Sequence, residues 1–149
     1  MTNWVRPVIV LRPKLELVDP SLVVASLNLK RDDLINDLNF TGFLFENLCM
    51  RDLKIYADAM DATLSYYRDK NDFEVDCILK MADGNWGAIE IKLGAGEIPE
   101  AIDNLNKFKD KVDTDKYGEP SFLMILTGAD YSYKRDDSIY VVSIGTLKG

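Results

Sequence analysis

The stretch that decides the fold is residues 73–93, which read FEVDCILKMADGNWGAIEIKL. Residues 73–81 and 86–93 alternate between apolar and polar side chains, a period of two that predicts two β-strands. The intervening Ala82-Asp83-Gly84 has the composition of a tight turn. The sequence therefore predicts a β-hairpin at the centre of the chain.

Charged side chains gather on one face of each predicted strand. Because strand side chains alternate, Glu74 and Asp76 share a face of the first strand, and Glu90 and Lys92 share a face of the second. The other face of the first strand carries Phe73, Val75, Cys77, Leu79 and Met81. Taken singly, each charged face is also typical of an ordinary strand with one face in solvent. The Glu-x-Lys pair is likewise typical of an exposed ion pair.

The length of the turn determines whether the two charged faces meet. A two-residue turn at Asp83-Gly84 would put Asp76 and Glu90 on opposite faces of the hairpin. A three-residue turn, with Gly84 in the left-handed region, would place Asp76 opposite Glu90 and Glu74 opposite Lys92. Directly opposed acids repel each other unless a cation lies between them. We expect the three-residue turn, and with it a metal site.

Outward from the hairpin, helical and strand patterns alternate along the chain. The predicted elements are a strand at 14–18, a helix from Asp19-Pro20 to about Leu27, a helix over 31–55 with a break near Asn39–Gly42, a strand at 62–68, a helix from Pro99, and strands at 121–127 and 138–144. The continuous apolar character of the last two strands indicates burial on both faces. These elements predict a single α/β domain over 1–149, with a lead-in at 13–28 and a core from about 31 to 147.

Glu46 is an acid within the apolar stripe of the helix over 31–55. On a helical wheel it lies among Ile35, Gly42, Phe43, Cys49, Met50 and Leu53. Burying a carboxylate is costly unless it is paired or binds a cation, so Glu46 is a candidate site residue. The simpler interpretation is an acid at the edge of the stripe whose carboxylate reaches water.

Composition excludes several kinds of chemistry. The chain has no histidine, which removes Ser-His-Asp triads, Cys-His pairs and ordinary zinc sites. It has no G-x-x-x-x-G-K-[ST] loop, so it is not by itself a P-loop ATPase. Hydrolysis would have to use carboxylates, lysine, tyrosine and a hard metal ion. The net charge of −7 argues against DNA binding over the whole surface but not against a local basic groove.

The cysteines and the first residues predict a cytoplasmic location. Cys49 and Cys77 are isolated, which fits buried thiols in a reducing compartment. No segment is long and apolar enough to span a membrane, and residues 1–7 do not have the pattern of a signal peptide.

Four short motifs in this order resemble a known family. They are GFLFENL at 42–48, YYRD at 66–69, EVD at 74–76 and AIEIK at 88–92. The chain from about Pro13 to Leu147 resembles the carboxy-terminal domain of prokaryotic AAA+ ATPases. That domain is similar to the PD-(D/E)XK nuclease superfamily of restriction endonucleases, Holliday-junction resolvases and RecB-like exonucleases. The resemblance implies a restriction-endonuclease-like αβββαβ core, with a mixed central sheet flanked by helices.

The resemblance also implies roles for individual residues. Asp76, Glu90 and the backbone carbonyl of Ile91 would hold Mg²⁺ or Mn²⁺, and Glu46 would assist directly or through a water molecule. Lys92 would orient or help to deprotonate the attacking water. Some nucleases of the superfamily add a Gln or Tyr on the next helix, which has no Gln here.

Other residues are candidate substrate contacts. Arg68 ends the predicted strand at 62–68, and Glu74 lies on the first strand of the hairpin. Lys107 and Lys111 lie four residues apart on the helix from Pro99, as a phosphate-binding pair would. A solvated helix face explains the two lysines equally well. Four tyrosines could stack on bases or simply pack: Tyr66, Tyr67, Tyr131 and Tyr133.

Two functions follow as expectations. The first is a metal-dependent nuclease, acting as an exonuclease or endonuclease on DNA phosphodiesters. The alternative is a nuclease-fold module, inactive or weakly active, that binds nucleic acid or a protein partner. In either case an ATPase module, in cis or in trans, is the expected partner, and a homodimer is a further expectation from the superfamily.

Overall fold

The hairpin closes through the three-residue turn that the sequence predicts. In the computed structural model, which describes residues 20–147, the Met81 N–H donates to the Asn85 carbonyl (2.8 Å). The Gly84 N–H donates in turn to the Met81 carbonyl (3.0 Å). Gly84 has a φ of +90°, in the left-handed region that glycine enters without steric cost. The turn type is confirmed, and with it the predicted register from Lys80–Trp86 to Cys77–Ile89; the predicted pairs Asp76–Glu90 and Glu74–Lys92 lie beyond the last registered pair.

Residues 20–147 contain five α-helices, two short 3₁₀ helices and six strands. The helices are α1 (Pro20–Ser26), α2 (Arg31–Asn36), α3 (Leu38–Ala59), α4 (Ile98–Lys111) and α5 (Thr114–Tyr117). The strands are β1 (Thr63–Arg68), β2 (Glu74–Lys80), β3 (Trp86–Lys92), β4 (Phe122–Thr127), β5 (Tyr133–Lys134) and β6 (Ile139–Ser143). The predicted strand at 14–18 and Asp19, the predicted start of the first helix, lie outside the described residues. The other predicted elements are present. The sequence did not predict α5 or β5.

The strands form one mixed sheet in the order β1-β2-β3-β4-β6-β5. Strands β1, β2 and β3 are antiparallel, β3, β4 and β6 run parallel, and β5 pairs antiparallel with β6. Helix α4 makes the crossover between the parallel strands β3 and β4, as such a connection requires. The predicted fold class, a mixed central sheet flanked by helices, is confirmed.

Each face of the sheet has its own apolar core. On the α4 face, Phe108 packs against Tyr67 (ring centroids 5.1 Å apart) and Trp86 (5.9 Å). The α3 face is formed by Cys49, Leu53, Cys77, Ile89, Ile91 and Leu126. Strand β4 is largely buried on both faces, as predicted, whereas β6 carries the exposed Tyr140 and so departs from that prediction.

The predicted helix over 31–55 is two helices, and the break lies at Asp37 rather than near Asn39–Gly42. The Asp37 carboxylate accepts a hydrogen bond from the Phe40 N–H (3.1 Å) and so caps the N-terminus of α3. An N-cap residue has non-helical backbone angles, which ends α2 and begins a new helix axis. Helix α3 then continues to Ala59, four residues beyond the predicted end.

A β-bulge breaks the strict alternation predicted for residues 73–81. Strand β1 pairs Ser65 with Ile78 and Tyr67 with Val75, so one residue of β1 faces two residues of β2, Asp76 and Cys77. The extra residue shifts the facing of β2 by one position. Val75 therefore packs on the α4 face and Cys77 on the α3 face, although the sequence predicts a common face for them.

No helix within residues 20–147 is long and apolar enough to cross a bilayer.

Two glycine substitutions test the backbone assignment. We expect Gly84→Ala to lower the free energy of unfolding by about 1–2 kcal/mol, because an alanine is strained at positive φ. Gly42→Ala, inside α3 where an added methyl group would meet open space, should instead raise it by about 0.5–1 kcal/mol. Urea unfolding measures both. Equal effects of the two substitutions would contradict the turn.

Candidate functional site

Strands β2 and β3 separate at Asp76. Their ladder pairs Lys80 with Trp86 and continues to Cys77 and Ile89, the last registered pair. The next main-chain hydrogen bond would join the Ile91 N–H to the carbonyl of Val75. Instead, the Asp76 Oδ2 atom accepts the Ile91 N–H at 2.8 Å. The bulge in β2 thus opens a fork between the strands, and a carboxylate satisfies the N–H that the separation would have left unpaired.

Glu90 lies at this fork, one residue beyond the last registered pair. Its side chain is almost completely buried, at 2% exposure, and its Oε1 atom has no hydrogen-bond partner within the described part of the chain. Burial raises the pKa of Glu90 to about 9, and the negative charge of Asp76 contributes in the same direction. The charge of Lys92 opposes both effects. Without a cation, Glu90 is therefore protonated at neutral pH.

Lys92 is the basic residue of the site. Its Nζ atom lies 4.0 Å from the Glu90 Oε2 atom, and its side chain is 21% exposed. The two residues are on the same face of β3 because they are two apart, as the sequence predicts. The ammonium group is thus close to the buried carboxyl group and still accessible to solvent.

Glu46 lies half-buried on α3, and its charge acts on a thiol that the charge of Asp76 also affects. Burial, followed by the charges of Asp52, Glu46 and Asp76, raises the pKa of the Cys49 thiol to about 12. The carboxylates of Glu46 and Asp76 therefore both lie near the same buried thiol, one on the helix and one on β2. Both cysteines are free and buried, as the sequence predicts.

The residues at the fork fit a hard divalent cation. Among residues 20–147, no group of three or more acidic or thiol side chains is arranged to hold a metal ion. Mg²⁺, however, is commonly held by one or two carboxylates and completed by water and substrate phosphate. The pair of Asp76 and Glu90 meets that requirement, and the unpartnered Glu90 Oε1 is an oxygen that a cation would satisfy.

The predicted substrate contacts are mostly engaged in ion pairs near the β1–β2 loop. Arg68 bonds to Asp72 (2.6 Å) and lies 3.4 Å from Glu74. Lys111 lies 3.4 Å from the Asp69 carboxylate, while Lys107 is exposed on α4. Phosphate binding by Arg68 or Lys111 would therefore have to compete with an internal acid.

Asp69 is a structural residue that the sequence patterns did not single out. It is buried, and its Oδ1 atom accepts hydrogen bonds from the main-chain N–H groups of Asn71 (2.8 Å) and Phe73 (3.1 Å). These bonds and the ion pair with Lys111 fix the loop that leads into β2. The run Asp69-Lys70-Asn71-Asp72 has the composition of an aspartate-capped turn, which is the feature that could have revealed it.

A cleft of about 420 Å³ opens beside the end of β3. Two of its residues adjoin the site in sequence: Phe45 precedes Glu46, and Leu93 follows Lys92. The remaining lining comes from α1, α2 and α3: Pro20, Ser21, Val24, Leu34, Thr41, Leu44, Leu48 and Arg51. The lining is predominantly aliphatic, so the polar groups of this region are concentrated at the fork rather than in the cleft.

Comparison with known proteins gives one family. The family model described as a domain of unknown function, DUF4143, matches residues 41–147, well over half of the chain, and the chain therefore belongs to that family. No curated protein and no solved structure matches the chain significantly. The matched region includes the fork, α4 and the strands that follow it.

The buried acid makes stability depend on pH. The folded chain keeps a proton on Glu90 up to a pH of about 9, whereas the unfolded chain releases it near 4.5. In EDTA, the free energy of unfolding should therefore fall as pH rises through this interval. Glu90→Gln cannot titrate and should flatten this part of the profile, as measured by urea unfolding at pH 5, 7 and 9.

The exposed acid Glu100 on α4 supplies the matched control for that measurement. Glu100→Gln should keep the wild-type slope, because its side chain is exposed to solvent. Parallel profiles for the wild type and Glu90→Gln would show that Glu90 is not protonated in the folded state.

Proposed function

We propose that this DUF4143 domain is a Mg²⁺- or Mn²⁺-dependent nuclease of the PD-(D/E)XK type that hydrolyses DNA phosphodiester bonds. The observation that carries the proposal is the fork, where Asp76 and Glu90 interact, Lys92 lies 4.0 Å from the Glu90 Oε2 atom, and the buried Glu90 Oε1 atom has no hydrogen-bond partner within residues 20–147. Glu90 is buried and Asp76 beside it is half-buried, an arrangement that costs free energy unless a partner offsets it and therefore favours a site that binds a cation.

The chain supplies the metal ligands. Asp76 and Glu90 would hold the ion, with the Ile91 carbonyl as a third ligand and Glu46 acting through a water molecule. Oxygen ligands of this kind suit Mg²⁺ and Mn²⁺. Such an ion, when bound, polarises the phosphodiester and lowers the pKa of a bound water molecule.

Lys92 would act on the substrate side of the site. Its ammonium group is close enough to Glu90 to be held in place and exposed enough to reach a solvent molecule or a phosphate oxygen. In that position it orients the attacking water and offsets the negative charge that develops on the phosphorus oxygens. Arginine would be a poor replacement, because its planar group needs a different arrangement of partners.

A second candidate function is a nuclease-fold module that binds a partner without hydrolysis. It is favoured by the ion pairs that occupy Arg68 and Lys111, by the absence of Gln on α4, and by the net charge of −7. Such a module would serve an ATPase, in cis or in trans, as a binding or regulatory domain. We place either form in the cytoplasm, where free thiols such as Cys49 and Cys77 stay reduced.

Conservative variants test the nuclease site. We expect the purified chain to cleave DNA in Mg²⁺ or Mn²⁺, and Asp76→Asn, Glu90→Gln and Lys92→Met each to lower the rate by roughly a hundredfold or more. Asp76→Asn keeps an oxygen that can accept the Ile91 N–H, so it removes the charge without opening the fork further. End-labelled single- and double-stranded substrates also separate exonuclease from endonuclease cleavage.

Calorimetric titration with Mn²⁺ separates metal binding from cleavage. Asp76→Asn should abolish Mn²⁺ binding, and the exposed-acid control Glu100→Gln should leave both binding and cleavage unchanged. Cleavage that persists in Glu90→Gln and Lys92→Met would rule out this site. Binding of Mn²⁺ without cleavage of any substrate would favour the non-hydrolytic module.

A further inference from the structure

The loop between β4 and β5, residues 128–132, lies at the same end of the sheet as the fork. Strand β4 runs parallel to β3 and pairs Thr127 with Lys92. The next residue, Gly128, donates its N–H to the Leu93 carbonyl (3.2 Å). A methyl group on Gly128 would come within 2.9 Å of that same carbonyl oxygen, so the loop starts in direct contact with the end of β3.

Hydrogen bonds hold both ends of this loop. The Ala129 N–H donates to the hydroxyl of the buried Thr127 (3.2 Å) at the start. At the far end, the Ser132 Oγ atom accepts the Ser143 N–H (2.8 Å) and lies 2.9 Å from the Thr146 hydroxyl. Thr146 itself donates to the Ser143 carbonyl (2.7 Å). The loop is thus tied to the ends of three parallel strands.

Two tyrosines flank Ser132, whose Oγ atom accepts the Ser143 N–H. Tyr131 is 78% exposed and Tyr133 is 47% exposed, the former being the most exposed of the large apolar side chains within residues 20–147. Large aromatic side chains on an anchored loop lose little further freedom when they bind a ligand, which makes them effective contact residues.

The charge of the loop selects the part of a nucleotide that it can contact. Residues 128–133 contain Asp130 and neither lysine nor arginine. An acid beside the tyrosines disfavours contact with an anionic phosphate. The neutral face of a nucleobase has no such penalty, and stacking on tyrosine does not depend on the identity of the base.

We propose that Tyr131, supported by Tyr133, is a stacking platform for the unpaired bases of a single-stranded DNA segment whose phosphodiester lies at the fork. The proposal rests on the proposed nuclease function and adds a substrate form to it, because a base within a duplex is already stacked on its neighbours and cannot stack on a side chain. The loop starts beside Leu93, at the end of β3, and passes the end of β6 before it enters β5, so a DNA strand that leaves the fork across the strand ends would reach Tyr131 before Tyr133.

Binding measured in EDTA tests the platform without cleavage. Fluorescence anisotropy of a labelled oligothymidylate should show a Kd about tenfold weaker for Tyr131→Ala than for the wild type. Tyr131→Phe keeps the ring and should bind within about twofold of the wild type. Tyr131→Leu keeps apolar area but lacks the ring, and should bind as weakly as Tyr131→Ala.

An abasic oligonucleotide of the same length isolates the stacking contact. It keeps the phosphates and lacks the bases, so the wild type and Tyr131→Ala should bind it equally. The melting temperature of Tyr131→Ala should match that of the wild type, because the side chain is exposed. A loss of affinity that is the same on both oligonucleotides would overturn the proposal, as would wild-type affinity of Tyr131→Ala for oligothymidylate or no binding by the wild type.

These results are separable from the outcome of the cleavage experiment. Binding to oligothymidylate that depends on Tyr131, in a chain that cleaves nothing, would support the platform and reject the hydrolytic function. Cleavage that depends on Glu90 and is indifferent to Tyr131, in both affinity and KM, would support the nuclease and reject the platform.

Discussion

The hydrogen bond from the Ile91 N–H to the Asp76 carboxylate is the interaction on which the arrangement of the site depends. A central strand cannot lose a partner without leaving a buried donor unsatisfied, and each such donor costs free energy. Here β2 moves away from β3, and the side chain of Asp76 on β2 accepts the hydrogen bond in place of a main-chain carbonyl. The sheet can therefore open between β2 and β3 while its main-chain groups stay paired, and the opening is lined by acids.

This opening concentrates an electrostatic conflict in a small volume. Glu90 is buried beside a second carboxylate, and Lys92 offsets only part of the repulsion. Two species can relieve the conflict, a proton or a metal ion, and they compete for the same oxygens. The raised pKa of Glu90 and its fitness as a metal ligand thus have one physical cause, which is the removal of water from the inner side of the fork.

Local residue patterns were sufficient for the hairpin, for α4 and for the common face of Glu90 and Lys92. The turn was predictable because only glycine readily adopts the positive φ that a three-residue turn requires, and Gly84 is where that turn needs it.

The bulge at Asp76 was not predictable, because it depends on pairing with β1, and no periodicity within β2 records it. The break in the helix over 31–55 was predicted a few residues too late, because an N-cap aspartate such as Asp37 interrupts a helix without the glycine or proline that usually marks a boundary. The engagement of Lys111 with Asp69 is a tertiary contact between residues 42 positions apart, which the spacing of lysines on one helix cannot reveal.

The two outer strands of the sheet limit pairing with a further strand in different ways. The edge beyond β6 is covered by β5, which has only two residues and offers very little main chain for a further strand to pair with. Within residues 20–147 the opposite edge is β1, whose pairing with β2 is interrupted by the bulge, and an interrupted edge is twisted away from regular strand addition. Both edges therefore resist sheet-to-sheet aggregation. A domain protected in this way can be joined to different neighbouring modules during evolution with little risk of exchanging strands with them.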